Sequence, residues 1–543
     1  MRALRHILAL LACAVFFQSG HAVQIRRGPG SHIPESILPT DRDNPAVWSV
    51  PSSALTRSAA PGEYASRNVP RLGTQNYIVV LVDFTDCKFI IQDTDSLLKR
   101  YDRIFNEKGY TENTTYTHHG ESFTPTPGCV SDYFRDQSNN QYNPVFKVIG
   151  PIHLSERYSY YGSDRSGKDR NVNVIVQEIC DQLMQSDTLD FRAYLHSNST
   201  PQLFFIFAGQ GQNFAGADTN RLWPQSNTYK YNTGPYNIEL LYGCTCELFW
   251  DSDSILDGIG TICHEFSHTL GLPDFYSGNE VEDAAMGYWS LMDYGNYENG
   301  GFTPVGFTAF EKYSLGWMEL EEITTPGKYT LNDISRKPDS VAGIHTAYRL
   351  NTGLDDRFVI LENHIQTGWY SFHRAEGLMV TAVDYKASTW NAGGAYVNLS
   401  RPYGFSILAA DDNYNRESNA GDLFPYYGLD SITAVGSPNL YVSGSKTLYS
   451  VYGIEKKNGL VSFIASESLP TTVSRHHDMQ VSIAYIDGKL TVTAPTGSKV
   501  TVYDISGKPV METTTGSETL QIALPGRGIW LVKCGNRTKK VSL

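Results

Sequence analysis

The segment 261–274, TICHEFSHTLGLPD, constrains the fold of this chain more than any other. His264 and His268 are four residues apart, a spacing that places two side chains on one face of an α-helix. Glu265 lies beside that face, and Gly271 can end the helix and turn the chain back. The pattern therefore predicts a helix that presents two imidazoles and a carboxylate to a single site.

The residues around this motif predict that the helix is buried. Apolar side chains recur at helical spacing on one stripe, which suits packing against a core. The stripe consists of Ile255, Leu256, Ile259, Ile262, Phe266 and Leu270. We therefore expect the helix to extend back to about residue 255.

Two histidines in this arrangement can share a zinc ion, but a catalytic zinc ion usually has three protein ligands and an open position. In the longer His-Glu-x-x-His-x-x-Gly-x-x-His pattern the third ligand follows the glycine by three residues. Here that residue is Asp274, and a carboxylate is a valid zinc ligand. Glu280, Glu282 and Glu311 are alternatives, with Asp274 preferred because it needs no distant return of the chain.

The segment 288–295, YWSLMDYG, follows the motif at a characteristic separation. A methionine in a tight turn downstream of such a motif forms the floor under the zinc ion in metzincin-type peptidases. By this resemblance, Met292 is predicted to form a Met-turn. Tyr294 stands where metzincins of the astacin and serralysin kind have a tyrosine, which predicts a catalytic contact with the metal or the developing oxyanion.

The start of the chain predicts export. Arg2 and Arg5 precede an apolar run at 7–17 and small residues up to Ala22, as in a secretory signal peptide covering 1–22. The run is too short to span a bilayer stably, and no transmembrane helix is expected in the mature chain. Residues 23–70 are rich in Pro, Ser, Ala and Arg, which suggests a linker or a pro-segment that keeps a zymogen latent.

Residues 71–320 read as a mixed α/β domain. Continuous apolar runs at 77–84 and 202–209 predict buried strands, and apolar residues at helical spacing over 172–183 predict a helix between them. The expected fold class is therefore multidomain, beginning with an α/β (α+β), metzincin-like zinc peptidase domain.

The rest of the chain is rich in predicted strands. Residues 321–470 contain short alternating runs separated by Gly, Asn and Asp, which predict a β-rich domain. Period-2 runs at 489–493 and 499–503 predict a small C-terminal β-sandwich over 471–543.

Composition excludes one class of partner and leaves the disulfides open. The net charge is −13 and Lys/Arg blocks are absent, so nucleic-acid binding is not expected. Of eight cysteines, Cys13 would leave with the signal peptide. Export permits disulfides, but the remaining odd number predicts at least one free thiol.

The motifs together resemble the secreted immune inhibitor A-like metallopeptidases. The resemblance lies in HEFSHTLGLPD at 264–274 and LMDYG at 291–295, and in NVPRLG at 68–73, VSDYFRDQS at 130–138, LWPQS at 222–226 and FEKYSLGW at 310–317. One departure is Ala382, where relatives often place a histidine, and no site in the β-rich region is carried over.

The resemblance implies a secreted zinc endopeptidase that hydrolyses internal peptide bonds of extracellular proteins. His264, His268 and Asp274 would bind one catalytic zinc ion. Glu265 would act as general base and then general acid on the zinc-bound water. The rival hypotheses are a non-catalytic surface adhesin on a peptidase fold, which the intact motif argues against, and a cell-wall zinc amidase.

Two features outside this motif also bear on function. VYDISGK at 502–508, GIWLVK at 528–533 and a basic end resemble the sorting domain of type IX secretion cargo. That resemblance implies the type IX machinery as a partner, and a product that passes the periplasm to be secreted or attached to the outer surface. An acidic cluster at 411–417 and 421–422 is predicted to be a solvated loop, with a calcium site as the alternative.

Overall fold

The computed structural model describes residues 69–542, apart from 113–114, 164–168, 187–199, 215–217, 234–235, 279–284, 337–343, 392–393, 415–417, 436, 468–481, 487–488, 495–497, 517–518, 525, 527 and 535–536. The predicted signal peptide and nearly all of the predicted pro-segment lie outside these ranges. Within them, no helix has both the length and the apolar composition needed to cross a membrane.

A mixed five-stranded sheet organises the first region. In chain order, its elements are β1 (Gly73–Asp83), α1 (Thr94–Asn106), β2 (Tyr116–His118), β3 (Glu121–Phe123), α2 (Val130–Gln137), β4 (Tyr142–His153), α3 (Tyr158–Tyr161), α4 (Val172–Met184), β5 (Gln202–Gln210), β6 (Gln225–Thr233), β7 (Tyr236–Leu248), α5 (Ile259–Leu270) and α6 (Ala309–Ser314). The 3-10 helices Gly287–Trp289 and Tyr294–Gly301 lie between α5 and α6.

The strand order is β4-β1-β5-β7-β6, with parallel pairing among the first four and an antiparallel edge at β6. Successive side chains of a strand point to opposite faces, and both faces of β1 are buried. Tyr77, Val79 and Leu81 join one hydrophobic core, whereas Ile78 and Val80 join another. The continuous apolar run of β1 is explained by this two-sided burial, as the sequence predicted.

Helices cover the two faces. The predicted helix α4 packs Ile175 and Ile179 into one core, and α5 packs Ile262 and Phe266 into the other. α5 contacts β7, which precedes it in the chain. This contact holds the His264 helix flat against the parallel sheet.

The helix with the histidine motif begins later than its apolar stripe predicts. It starts at Ile259, and Leu256 instead forms an isolated bridge with Leu248. Gly258 is the N-cap in an extended conformation, and a side chain at Gly260 would collide with the backbone oxygen of Asn296. Glycine here allows the start of the helix to approach the 3-10 segment Tyr294–Gly301.

Most of the regular elements in the second region are strands. Its elements are β8 (Glu321–Glu322), β9 (Gly327–Leu331), β10 (Ala347–Leu354), β11 (Arg357–His364), β12 (Gly377–Asp384), α7 (Ala387–Trp390), β13 (Phe405–Ile407), β14 (Tyr441–Val442), β15 (Ser445–Lys446), β16 (Ser450–Lys457) and β17 (Leu460–Ser466), with 3-10 helices Gly368–Tyr370, Gly394–Asn398 and Ala420–Asp422. The sheets have the orders β13-β12-β11-β10-β8, β16-β17-β9 and β14-β15.

The two regions share one hydrophobic core and form one compact unit that ends at Ser468. The Phe310 ring of α6 lies 4.7 Å from the Phe405 ring and 6.1 Å from the Phe358 ring, measured between centroids. The β-rich region therefore packs against α6 of the first region.

A second unit covers Leu469–Leu543 and has its own core. Its strands are β18 (Ser482–Ile486), β19 (Lys489–Thr493), β20 (Lys499–Tyr503), β21 (Pro509–Thr514), β22 (Thr519–Ile522), β23 (Ile529–Cys534) and β24 (Arg537–Ser542). They form sheets of order β18-β19-β22 and β21-β20-β23-β24. The strands predicted at 489–493 and 499–503 are confirmed.

Candidate metal centre

Three side chains of the predicted zinc motif converge at the end of α5. The Nε2 atoms of His264 and His268 are 3.2 Å apart, and Asp274 Oδ1 lies 3.3 and 3.1 Å from them, respectively. Gly271 ends the helix with φ of 107°, a left-handed conformation that turns the chain back toward the histidines. This turn brings Asp274 to the same point as the helical pair.

Backbone carbonyls fix which nitrogen of each histidine faces the centre. His264 Nδ1 donates to Leu291 O at 2.8 Å, and His268 Nδ1 donates to Leu272 O at 2.7 Å. In neutral imidazoles, both Nε2 atoms then present lone pairs to each other and to the carboxylate of Asp274. Three converging acceptors without a proton between them repel one another unless a cation lies among them.

The donor set fits zinc. Nitrogen and carboxylate oxygen ligands lie about 2.0–2.2 Å from zinc, so two ligand atoms of a tetrahedral site are separated by about 3.3 Å. The three measured separations, 3.1–3.3 Å, match that edge length. Without a metal ion, burial opposes ionisation of Asp274, but positive charge and hydrogen bonds from protonated forms of His268 and His264 would outweigh burial and lower the pKa of the carboxyl group.

Glu265 is fully buried beside this group. Neither of its carboxyl oxygens has a hydrogen-bond partner among the described residues. Burial raises its pKa well above the usual value, and the nearby His264 counteracts this only in part. A buried carboxylate without a partner is unusual in a protein, and it is available to a bound water or ligand.

The predicted Met-turn makes backbone hydrogen bonds to His264 and to the residue that follows Asp274. Leu291 supplies the carbonyl that orients His264, and Met292 O accepts a 2.7 Å hydrogen bond from the backbone of Phe275, directly after Asp274. The Met292 side chain is buried in the adjoining core. The turn therefore links the helix histidine and the third candidate ligand through backbone hydrogen bonds.

Glu311, which the sequence also allows as a third ligand, lies beneath this turn. Ser290 Oγ donates to its Oε1 at 2.6 Å, and Thr308 Oγ1 and the Thr308 backbone donate to its Oε2. The Thr308 backbone contact belongs to the N-terminal capping box of α6, and the Ser290 contact supports the turn. Glu280 and Glu282 lie outside the described residues.

Sequence reasoning missed two supports of the site. Tyr276 donates to Asp274 Oδ2 at 3.1 Å, which leaves Oδ1 to face the histidines. Asp293 accepts from the backbones of Met286 and Gly287, and burial raises its pKa to about 7. In the sequence, Tyr276 could have been found from its position two residues after the candidate ligand Asp274. Asp293 could have been found from its position inside the predicted Met-turn.

Other predicted positions lie as follows. The Tyr294 side chain is half-buried, with its ring centroid 6.0 Å from that of Tyr288. Within the acidic cluster, Asp422 accepts a 2.6 Å hydrogen bond from Trp289 Nε1, and Asp411 caps the backbone of Asn413. These two carboxylates are thus engaged by protein donors.

All seven cysteines from Cys87 to Cys534 are unpaired in the structure.

Asp257, just before the N-cap of α5, predicts a pH effect on stability. Burial raises the pKa of this carboxyl group from 3.8 to about 8, although the Gly258 N–H and Thr261 favour its ionised form. The folded chain thus keeps a proton that the unfolded chain releases above pH 4. Between pH 4 and 8, this group lowers stability by up to about 1.4 kcal/mol per pH unit.

We therefore expect Asp257→Asn to lose less thermal stability than wild type between pH 5 and pH 8. Scanning calorimetry at both pH values gives the two differences in Tm. The exposed Asp253→Asn variant serves as a control and should follow the wild type. Equal pH dependence in Asp257→Asn and wild type would show that the carboxyl ionises normally.

Comparisons with known proteins bear on this centre. The family model described as immune inhibitor A peptidase M6, catalytic domain, matches residues 66–200 and 250–321, which include all three converging side chains. Two curated relatives, the pre-pro-metalloproteases PrtV of Vibrio cholerae serotype O1 strains M66-2 and ATCC 39315 / El Tor Inaba N16961, are each 24% identical over 321 residues.

These alignments cover 50% of this chain and 33% of each relative, so the chain spans about a third of the length of the curated relatives it matches. The matched region carries the convergent histidines and aspartate described above. Residues 66–200 and 250–321 are thus similar to the catalytic domain of the immune inhibitor A peptidases, and the comparisons support a zinc metalloendopeptidase, a hydrolase, in this part of the chain.

Proposed function

We propose that the whole protein is an exported zinc endopeptidase that hydrolyses internal peptide bonds of extracellular proteins. The observation that carries the proposal is the convergence of two Nε2 atoms and one carboxylate oxygen within 3.1–3.3 Å, beside the unpartnered carboxyl of Glu265. This combination supplies three metal ligands and one general base, which is the minimum that hydrolysis at a zinc site requires.

In the proposed mechanism, each residue has one task. His264, His268 and Asp274 would hold a zinc ion, which would supply Lewis-acid chemistry by lowering the pKa of a bound water toward neutrality and polarising the scissile carbonyl. Glu265 accepts the proton of the attacking water and later delivers it to the leaving amine. The Nδ1–H bonds of His264 and His268 hold both rings in place. Tyr294 donates a hydrogen bond to the developing oxyanion.

A protein-degradation assay tests this function. A purified chain that begins at Val23 is incubated with casein, before and after limited trypsin removes the predicted pro-segment. We expect degradation that a zinc chelator stops and that added zinc restores. Peptidoglycan is offered in parallel. Release of cell-wall fragments without casein products would favour a zinc amidase, and silence on both substrates would favour an adhesin.

We further propose that unit Leu469–Leu543 is a sorting domain for type IX secretion. Its support is a compact unit with its own core, in which 502–508 covers the end of β20 and the turn after it. Asp504 Oδ1 accepts from the backbones of Ser506 and Lys508 and stabilises that turn.

We expect a chain cut after Ser468 to remain in the periplasm of a host that has the type IX machinery. The full chain should reach the medium or the outer surface of the same host. Immunoblots of periplasm, membranes and medium distinguish the two. Equal export of both chains would contradict the sorting proposal and would leave the peptidase proposal untouched.

A further inference from the structure

A second group of metal-binding side chains lies on the surface, apart from the buried centre. The Nε2 atoms of His118 and His119 lie 2.8 and 2.9 Å from Asp251 Oδ1, and the His119 Nε2 atom is also 3.0 Å from Oδ2. The side chains are 15%, 61% and 62% exposed, respectively. Among the described residues, only this group and the buried centre bring three such ligand atoms so close together.

The backbone explains how two consecutive histidines reach one carboxylate. In a regular strand, neighbouring side chains point to opposite faces. His118 ends β2, but His119 has φ of 49° and Gly120 has φ of 86° in the turn to β3. Positive φ at both central positions is the pattern of a tight hairpin turn, usually Asn-Gly. The left-handed His119 brings its ring centroid to 4.3 Å from that of His118.

Aromatic side chains fix both sides of this group. The His118 ring lies 5.4 Å from the Phe249 ring and 6.3 Å from the Trp250 ring, measured between centroids. Phe123 of β3 packs against the same Phe249 at 5.5 Å. Asp251 follows Trp250 directly, so the hairpin and the segment that carries the carboxylate rest on one aromatic cluster.

The chemistry of the donors selects the ligand. Two imidazole nitrogens and one carboxylate oxygen suit zinc and similar divalent transition metals, whereas calcium and magnesium prefer oxygen alone. The exposure of His119 and Asp251 leaves room for water to complete the coordination. Hydrogen bonds from the two histidines, without a metal ion, would also satisfy the Asp251 carboxylate. The metal-bound and the metal-free arrangement therefore differ in how much metal the protein retains.

We propose that His118, His119 and Asp251 bind a second divalent transition-metal ion, of which zinc is the natural candidate. This ion ties the β2–β3 hairpin to the segment that leads from β7 into α5. Since α5 carries His264, the second ion stabilises the approach to the buried centre without contacting it. The ion exchanges more readily than the buried one because its site is open to solvent.

Metal content of the full chain tests the proposal. The protein is equilibrated with zinc alone at a buffered micromolar concentration, and bound metal is counted by mass spectrometry. We expect two equivalents in wild type and one in both His119→Asn and Asp251→Ala. Asparagine favours the left-handed turn at position 119, so His119→Asn removes the imidazole and keeps the hairpin.

His153→Ala is the matched control, because the exposed His153 pairs with the buried Asp83 at 2.7 Å but belongs to no group of three such ligands among the described residues. It should retain two equivalents. A His264→Ala/His268→Ala chain should retain one, held at the surface group. One equivalent in wild type, or two in His119→Asn and Asp251→Ala, would overturn the proposal and leave a metal-free hydrogen-bonded trio.

Discussion

We expect Glu265→Gln to lower kcat/KM on an internally quenched peptide by roughly 10²–10⁴-fold, while the metal content of the buried centre stays that of wild type. Glutamine has nearly the same volume as glutamate, so the packing around position 265 is retained. Its carboxamide cannot accept the proton of an attacking water. The loss therefore falls on the chemical step and should appear in kcat more than in KM.

Glu247→Gln is the matched control for this variant. Glu247 is also buried, and burial raises the pKa of its carboxyl group to about 7. Its oxygens accept hydrogen bonds from the backbones of Gly209 and Ile90 and are therefore already engaged by the protein. Its replacement should leave kcat/KM within a few-fold of wild type. If Glu265→Gln kept wild-type activity, another group would have to be the base.

The second large effect is expected at Asp274. Asp274→Ala removes the carboxylate that faces both Nε2 atoms at 3.1–3.3 Å, and it leaves only the two imidazoles as ligands. Outer partners of metal ligands alone contribute about 10–100-fold to affinity, so loss of a ligand should weaken zinc binding by more than about 100-fold. Competition with a zinc indicator of known affinity measures this change, and hydrolysis should fall with the bound metal.

Three further variants test whether the loss of zinc affinity is specific to Asp274. Tyr276→Phe keeps the carboxylate and removes only its 3.1 Å hydrogen bond, so we expect a loss of about 10–100-fold in zinc affinity. Glu280→Ala and Glu282→Ala test the two candidate ligands outside the described residues and should bind zinc as wild type does. Retention of tight zinc by Asp274→Ala, with loss in either glutamate variant, would reassign the third ligand.

The core of the first region could be predicted from local patterns. The runs at 77–84 and 202–209 and the stripe over 172–183 depend on side chains a few residues apart, and the structure places strands and a helix there. The predicted start of α5 was wrong by about one turn. Leu256 pairs with Leu248 of β7 instead of continuing the helix. That pairing depends on a strand whose approach no local pattern specifies.

The surface group of His118, His119 and Asp251 could not be predicted from the sequence, for a different reason. His118 and His119 are adjacent in a strand-like stretch, where the usual alternation would send their rings to opposite faces. Their convergence requires a left-handed His119 and the arrival of Asp251 from the far end of β7. Neither the backbone conformation nor the contact is encoded in the spacing of the three residues.

What the sequence determined by itself is the local part of the buried centre. The spacing of His264 and His268 fixes two imidazoles on one helix face, and Gly271 permits the left-handed turn that lets Asp274 return. The tertiary structure decided the rest. Leu291 orients the His264 ring, and Glu311 supports the turn that holds Leu291. These contacts join residues on separate elements, and they form only when α5, the turn and α6 pack into one core.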